Sequence, residues 1–381
     1  MMSANPSVVT PANLGRHAIV PLPSPFVFHA GGELQSGHLA VETWGRLSPA
    51  RDNALLVFTG LSASAHAAST ADDPTPGWWE DLIGPGKALD TDTYFIIVAN
   101  SIGSCFGSSG PGDVDPATGK PFGYSWPELR VEDIARAGQI AVEHFGIDRL
   151  ACAIGVSLGG MVVLAHAALF PGRARSLISI SGAMVPSAFA IATRALQREM
   201  VGTALRTGEI ELKLAFRLAR KVGMLSYIGA ALLENRFGHT ASAKPAGSSG
   251  THFEVESWLD HQAEKFAARF DPWSFWYISR AMDLFNLAAH RRDTVLHPGP
   301  AFGLDVGRAL VVGVHEDQLF PIYQQSDIAV MLRAEQVRTD FVELSSPYGH
   351  DAFLVEDKLF TPLIQRFLAE AAAPPSVCAA P

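Results

Sequence analysis

One short stretch of the sequence has the residue types and the spacing of a nucleophilic site. Residues 155–159 read GVSLG, so that Ser157 lies between two glycines. The residues before it are typical of a buried strand, and residues 158–170 are typical of a helix. At such a sharp strand-to-helix turn the serine is presented to a substrate, and the amides of the helix N-terminus favour developing negative charge. We therefore predict that Ser157 is a nucleophile.

The predicted nucleophile needs a neighbouring base, because a serine hydroxyl is a poor nucleophile at its own pKa. Serines at such turns are followed along the chain first by an acid and then by a histidine. Asp317 and His350 fit this order, since each comes just after a predicted strand in the C-terminal part of the chain. We predict that His350 accepts the serine proton and that Asp317 orients the imidazole, with Glu316 as the competing acid.

Acyl transfer also requires two backbone N–H groups that stabilise the oxyanion of the tetrahedral intermediate. The residue after the nucleophile, Leu158, is expected to supply one of them. The second is expected from the loop after an early predicted strand, where the sequence reads VFTGLSASAH. We predict that Leu61 in this loop supplies it.

Predicted strands and helices alternate along most of the chain. Residues 94–103 are typical of a buried strand, for example, and residues 130–147 show helical spacing. This alternation predicts an α/β protein in which helices cover both faces of a mostly parallel sheet. Together with the G-x-S-x-G turn at Ser157 it predicts the α/β-hydrolase fold. We predict a core of residues 16–183 and 301–370, a helical lid insertion at 184–300, and flexible termini at 1–15 and 371–381.

Composition argues against several classes of partner. The formal net charge is −9, and no run of basic residues is long enough to form a nucleic-acid footprint. No apolar segment is long enough to predict a membrane span. The three cysteines, Cys105, Cys152 and Cys378, form no metal-like cluster with histidine, and their small odd number fits a reducing compartment. We expect a cytoplasmic enzyme with no metal and no bound cofactor.

Several longer blocks, together with the serine motif, resemble the homoserine/serine O-acyltransferase family, a branch of the α/β-hydrolases. The resemblance extends from about residue 20 to residue 370 and includes the blocks that contain Asp317 and His350. The blocks read ETWGRLSPARDNALLV, GWWEDLIGPGKALDTDTYFIIVANSIGSCFGSSGP, DPATGKPFG, DQLFP and SSPYGHDAFLVE. The chain departs from the family pattern only slightly at the turn that contains Ser157. There, Val156 and Leu158 replace the second Gly and the Met of the family's G-G-S-M-G-G pattern.

The resemblance implies a ping-pong reaction. Ser157 would take the acyl group from an acyl-CoA co-substrate and pass it to the side-chain hydroxyl of L-serine or L-homoserine, in cysteine or methionine biosynthesis. It also implies an arginine in the lid that holds the carboxylate of the amino acid, here Arg220, with Tyr227 seven residues further on. The acid after the catalytic histidine, Asp351, would meet the α-amino group. A homodimer is expected by the same resemblance.

Further stretches look most similar to the subgroup that transfers a succinyl group to serine. Arg194 stands where acetyltransferases of the family tend to carry a neutral asparagine. An arginine there would pair with the second carboxylate of a succinyl group, whereas an acetyl group brings no such charge. A homoserine O-acetyltransferase remains an alternative, and so does a carboxylic-ester hydrolase that uses the same three catalytic residues.

Overall fold

The computed structural model describes residues 17–70, 72–208, 210–242, 252–292 and 299–372. Its centre is an eight-stranded sheet. In chain order the strands are β1 (His17–Pro21), β2 (His38–Trp44), β3 (Ala54–Phe58), β4 (Phe95–Ala99), β5 (Leu150–Val156), β6 (Ala174–Ile180), β7 (Arg308–Val314) and β8 (Arg338–Leu344). Their spatial order is β1-β2-β4-β3-β5-β6-β7-β8. Three two-stranded ribbons lie outside it, pairing Phe26–Val27 with Glu33–Leu34, Ile83–Gly84 with Leu89–Asp90, and Val114–Asp115 with Lys120–Pro121.

In this spatial order the six strands β4, β3, β5, β6, β7 and β8 pair in parallel. Strand β2 runs antiparallel to both of its neighbours, β1 and β4. All residues of β3, β4 and β7 are buried, which explains their continuous apolar sequences. Because parallel strands all end at the same sheet edge, the loops after β3, β5, β7 and β8 meet there. The predicted α/β-hydrolase architecture is confirmed.

The helices of the described residues are α1 (Val131–His144), α2 (Leu158–Leu169), α3 (Ala188–Thr207), α4 (Leu212–Tyr227), α5 (Ala230–Phe237), α6 (Glu254–Ala267), α7 (Pro272–Leu284), α8 (Ile322–Ala334), α9 (Ala352–Val355) and α10 (Asp357–Ala372). Of these, α1, α2, α8 and α10 pack on the two faces of the sheet. On β3, Leu56 and Phe58 pack into the core that contains α1, α2 and α8. Leu55 and Val57 point to the opposite face, towards α10. The alternation of side chains along each strand therefore builds two separate cores.

The helices α3 to α7 form one insertion between β6 and β7. Ser187 caps α3 by accepting a hydrogen bond from the backbone N–H of Ala190, and Gly208 ends the helix in the left-handed conformation. These helices lie within the segment 184–300 that was predicted as a lid. At the C-terminal end, α10 runs to Ala372, two residues past the predicted core boundary, and both 1–16 and 373–381 lie outside the described residues.

No helix in the described part of the chain is both long enough and apolar enough to cross a membrane.

Candidate active site

The loop between β5 and α2 forms a strained nucleophile elbow. Ser157 has φ 57° and ψ −118°, a conformation that residues other than glycine rarely adopt. The flanking glycines are required by close packing, because a β-carbon at Gly155 would overlap the carbonyl of Gly159, and one at Gly159 would overlap the carbonyl of Phe58. The backbone N–H of Ser157 donates to the carbonyl of Ile180 on the neighbouring strand. The turn therefore fixes the hydroxyl at the N-terminus of α2.

Ser157, His350 and Asp317 lie in hydrogen-bond contact in the predicted order. The Ser157 Oγ is 2.7 Å from His350 Nε2, and His350 Nδ1 is 2.7 Å from Asp317 Oδ2. The second carboxylate oxygen of Asp317 accepts hydrogen bonds from the backbone N–H groups of Leu319 and Phe320. All three side chains are buried. This is the geometry in which a histidine can deprotonate a serine while a carboxylate holds the ring.

The ring of His350 is fixed by packing as well as by hydrogen bonds. Phe320 stacks on it at 5.1 Å, and Phe353 meets it edge-on at 5.5 Å. Burial alone would lower the pKa of His350, and the charge of Arg194 acts in the same direction, but the charge and hydrogen bond of Asp317, with a contribution from Asp351, raise the pKa above 6.5. Asp317 therefore stabilises the protonated form of the His350 imidazole.

Glu316, the competing acid, and His66, a histidine that fits the predicted chain order less well, form contacts elsewhere. Glu316 accepts hydrogen bonds from the Ser345 hydroxyl and the Ser346 backbone N–H, so it braces the loop after β8. His66 lies between Glu42 and the carbonyl of Thr75. Among the acids of the described chain, Asp317 is the one that contacts the His350 ring.

The two predicted oxyanion donors flank the nucleophile. Leu158 is the first residue of α2, and Leu61 lines the same cavity as Ser157. Among the described residues, neither backbone N–H donates to a protein acceptor. Both N–H groups are thus left without a backbone acceptor, and their role as oxyanion donors stays a prediction.

Above the triad lies a cavity of about 140 Å³, closed on one side by the insertion helices. Its charged lining consists of Arg194, Arg220 and Arg269 together with Asp351, in addition to the imidazole of His350. Apolar walls come from residues of the core and the insertion, including Leu61, Trp78, Phe275, Met282 and Phe353. An excess of positive charge in a small enclosed space is suited to substrates that carry carboxylates.

Arg220, Tyr227 and Asp351, which were predicted as the amino-acid subsite, all line this cavity. The guanidinium of Arg220 lies 4.9 Å from the Tyr227 ring centroid and 4.4 Å from that of Phe266. Among the described residues it forms no ion pair, so its charge is available to a ligand. Burial raises the pKa of Asp351, although Arg220 and His350 oppose this effect. A cation and an anion at one end of the cavity match the two charges of an amino acid.

Arg194, the predicted donor-specificity residue, is buried in the cavity wall. Its Nε donates to Asp283 Oδ1 at 2.7 Å. Both of its terminal nitrogens, Nη1 and Nη2, are buried and have no hydrogen-bond partner among the described residues. A buried guanidinium with two unpaired donors is unfavourable unless an acceptor arrives with the ligand.

Gln197, Asp283 and Arg269 also belong to this site and were not predicted from the sequence. Gln197 and Arg194 share one face of α3 because they are three residues apart, and both line the cavity. The helical spacing of the polar residues Arg194, Gln197 and Arg198 is a signal in the sequence that could have identified this face, and all three are buried in the structure. Arg269 follows α6, where no periodic pattern marks it. Partial burial and the neighbouring charge of Arg220 lower the pKa of Arg269.

Comparison with known proteins identifies the family. The sequence-family model described as the α/β-hydrolase fold matches residues 53–357 of this chain. An L-serine/homoserine O-acetyltransferase of Streptomyces lavendulae is 46% identical over 367 residues, which cover 92% of this chain and 96% of that protein. A serine O-succinyltransferase of Litchfieldella anticariensis is 45% identical over 363 residues, which cover 92% and 97%. The chain belongs to the serine/homoserine O-acyltransferase family.

The protein is therefore an acyltransferase, as its sequence predicts. Among solved structures, a homoserine O-acetyltransferase of Bacillus anthracis superposes with a TM-score of 0.82 at 23% identity, covering 92% of this chain and 97% of that one. An esterase superposes with a TM-score of 0.81 at 22% identity, covering 92% and 99%. At these identities the structures show the shared fold alone. Since this fold carries both transferases and hydrolases, the substrates of this acyltransferase must be argued from its site.

Proposed function

We propose that this acyltransferase moves a succinyl group from succinyl-CoA to the side-chain hydroxyl of L-serine. The observation that carries the donor is the buried Arg194, whose two terminal nitrogens face no protein acceptor and which lines the cavity above Ser157. The distal carboxylate of a succinyl group supplies the missing acceptor, and an acetyl group supplies none. Serine is favoured as acceptor because both relatives are named for serine.

In the first half-reaction Ser157 Oγ attacks the thioester carbonyl while His350 Nε2 accepts the hydroxyl proton. The oxyanion of the tetrahedral intermediate is stabilised by the backbone N–H groups of Leu61 and Leu158. Collapse of the intermediate breaks the carbon–sulfur bond, and His350 returns the proton to the departing CoA sulfur. The enzyme then carries an ester on Ser157.

In the second half-reaction the hydroxyl of the acceptor attacks this ester. His350 removes the proton of the acceptor hydroxyl and passes it to Ser157 Oγ as the serine ester breaks. Arg220 binds the α-carboxylate of the amino acid and Asp351 binds its α-ammonium group, so that the hydroxyl is directed towards the acyl carbon. The product is an O-acyl amino acid, whose activated hydroxyl can be displaced by a sulfur nucleophile in cysteine synthesis, or in methionine synthesis if homoserine is the acceptor.

The donor and the acceptor are tested together with Arg194→Asn. Purified enzyme is supplied with succinyl-CoA or acetyl-CoA, each with L-serine, L-homoserine or no acceptor, and products are identified by mass. We expect O-succinylserine to form most efficiently. Loss of one charge-assisted contact should lower kcat/KM for succinyl-CoA in the variant by about 10- to 100-fold and leave acetyl-CoA nearly unchanged.

Arg206→Met is the matched control, because Arg206 is an exposed arginine on the same helix. An equal effect of Arg194→Asn on both donors would contradict the role of Arg194. Preferential formation of O-acetylhomoserine would identify the alternative transferase, and release of CoA at the same rate without an acceptor would identify an ester hydrolase.

The acceptor subsite is tested by Arg220→Met. We expect the KM for L-serine to rise by about 10- to 100-fold, because the carboxylate loses its charged partner. The KM for the acyl donor should change little. Arg217→Met is the control, since Arg217 lies on the same helix but pairs with Asp260 and Glu264. Unchanged acceptor kinetics in Arg220→Met would remove Arg220 from the subsite.

The proposal includes a homodimer formed through the insertion helices. Leu214, Leu218 and Leu225 on α4 are each more than 40% exposed, and so are Phe189 and Leu196 on α3. An exposed apolar surface of this kind is typical of an interface. Light scattering should give twice the chain mass of 40.7 kDa, and a monomer at micromolar concentration would contradict this part of the proposal.

The proposed compartment is the cytoplasm, in agreement with the free thiols of Cys105 and Cys152.

A further inference from the structure

Arg194 belongs to a buried cluster of three charged side chains that connects α3 with α7. Asp283 on α7 accepts a hydrogen bond from Arg194 Nε through Oδ1, and its Oδ2 forms an ion pair with Arg198 Nη2 at 2.5 Å. The side chains are 4%, 3% and 9% exposed for Arg194, Asp283 and Arg198. Arg198 is held in addition by a contact of 3.4 Å from its Nη1 to the hydroxyl of Ser279.

The two arginines share one carboxylate but face different spaces. Arg194 lines the catalytic cavity, whereas Arg198 is absent from its lining and borders a separate surface depression with Arg206 and Arg280. Arg198 therefore cannot contact a substrate bound next to Ser157. The cluster carries two cations and one anion, so one positive charge is uncompensated within it, and Arg194 is the member that lines the cavity.

The geometry of the pairing determines which nitrogens of Arg194 remain available. A carboxylate alone with one guanidinium tends to bind it through two parallel hydrogen bonds, which use both oxygens and two nitrogens. Here Arg198 Nη2 lies 2.5 Å from the second oxygen of Asp283, as an ion pair without hydrogen-bond alignment, and Arg194 is left with a single hydrogen bond through Nε. Its Nη1 and Nη2 consequently stay without a partner.

We propose that Arg198 is a positioning residue for acyl-donor specificity: by occupying Asp283 Oδ2, it keeps Asp283 from chelating Arg194 and so keeps the terminal nitrogens of Arg194 available to the acyl group's carboxylate. This inference rests on the proposed use of a succinyl donor. It adds a residue that never touches the substrate and still determines which donor is accepted.

The test is the ratio of kcat/KM for succinyl-CoA to kcat/KM for acetyl-CoA, with L-serine as acceptor, in Arg198→Met and Arg198→Lys. In Arg198→Met the remaining Asp283–Arg194 pair can become bidentate, and we expect the ratio to fall by about tenfold or more while acetyl-CoA use stays within about twofold. In Arg198→Lys the ammonium group can still occupy Asp283 Oδ2, and we expect most of the ratio to be restored. Arg206→Met, at the same surface depression, should retain the wild-type ratio.

Two outcomes would overturn this inference. One is an unchanged ratio in Arg198→Met under conditions in which Arg194→Asn lowers it. The other is an equal loss of activity with both donors, which indicates a merely structural role. Failure of the proposed function is recognised separately, because the wild-type enzyme would then show no preference for succinyl-CoA and Arg194→Asn would not change the ratio. If Arg198→Met does not fold, Arg198→Lys decides: a ratio as low as that of Arg194→Asn, although the ammonium group still occupies Asp283 Oδ2, also contradicts the inference.

Discussion

Replacement of Ser157 by alanine should reduce kcat by about 10⁶-fold, the scale observed when the serine of a comparable triad is removed. The reason is the loss of the atom that carries the acyl group, since the 2.7 Å contact to His350 Nε2 places only this hydroxyl in line with the base. The β-carbon and the left-handed backbone of the elbow are retained in the variant. The fold and the binding of both substrates should therefore survive, and the measurement is steady-state release of CoA.

Ser62→Ala provides the matched control for this experiment. Ser62 lines the same cavity, but it is not part of the hydrogen-bonded triad. Its replacement should leave the reaction within about one order of magnitude, the range expected for a contact worth about 1 kcal/mol. If Ser157→Ala unfolds at the same temperature as the wild type, its loss of activity comes from the missing nucleophile and not from a loss of folded structure. Wild-type turnover by a correctly folded Ser157→Ala enzyme would eliminate the acyl-serine mechanism.

Replacement of Asp317 by asparagine should lower kcat by about 10⁴-fold, as expected when the acid of a triad loses its charge but keeps its shape. Asp317 holds the His350 ring through Nδ1 at 2.7 Å, and its own Oδ1 is fixed by two backbone N–H groups. An amide in this place can donate to Nδ1 and so stabilise the wrong tautomer. Nε2 would then carry the proton and could not act as the base.

The pH profile separates this effect from a general loss of structure. The base must be neutral, so activity falls as the pH drops through the pKa of His350, which in the wild type is raised because the charge and hydrogen bond of Asp317, together with the charge of Asp351, outweigh burial. In Asp317→Asn the burial effect is no longer opposed by that charge, and the acidic limb of kcat/KM should move to lower pH. Glu316→Gln, which alters only the brace to Ser345 and Ser346, should leave the limb in place. An unshifted limb in Asp317→Asn would contradict the assignment.

The triad could be predicted from sequence because its parts depend on local rules. The positions on either side of Ser157 must be glycine, because a β-carbon there would overlap neighbouring backbone. The loops after successive parallel strands must also meet at one edge of the sheet. Chain order then indicated His350 as the base and Asp317 or Glu316 as the acid, and the resemblance of the DQLFP block favoured Asp317. The choice between Asp317 and Glu316 could not be made from adjacency alone, since it depends on the direction in which each carboxylate leaves the turn after β7.

The part of the site formed by the insertion was harder to predict, because its residues meet through helix packing rather than along a strand. Arg194 and Asp283 are 89 positions apart and touch only because α3 lies against α7. Nothing in the local sequence of Asp283 indicates a buried anion. Arg269 likewise reaches the cavity from the end of α6, so its contribution to the positive charge became visible only in the fold.

Detection of the acyl-enzyme by intact-mass spectrometry is the most direct test of the account. Wild-type enzyme is mixed with succinyl-CoA in the absence of an amino acid, quenched in acid, and digested to locate any adduct. The account predicts one added succinyl group on the peptide that contains Ser157, none on Ser157→Ala, and rapid loss of the adduct when L-serine is added, with O-succinylserine as product. Transfer to L-serine at the full steady-state rate with no adduct on Ser157 at any time would contradict it.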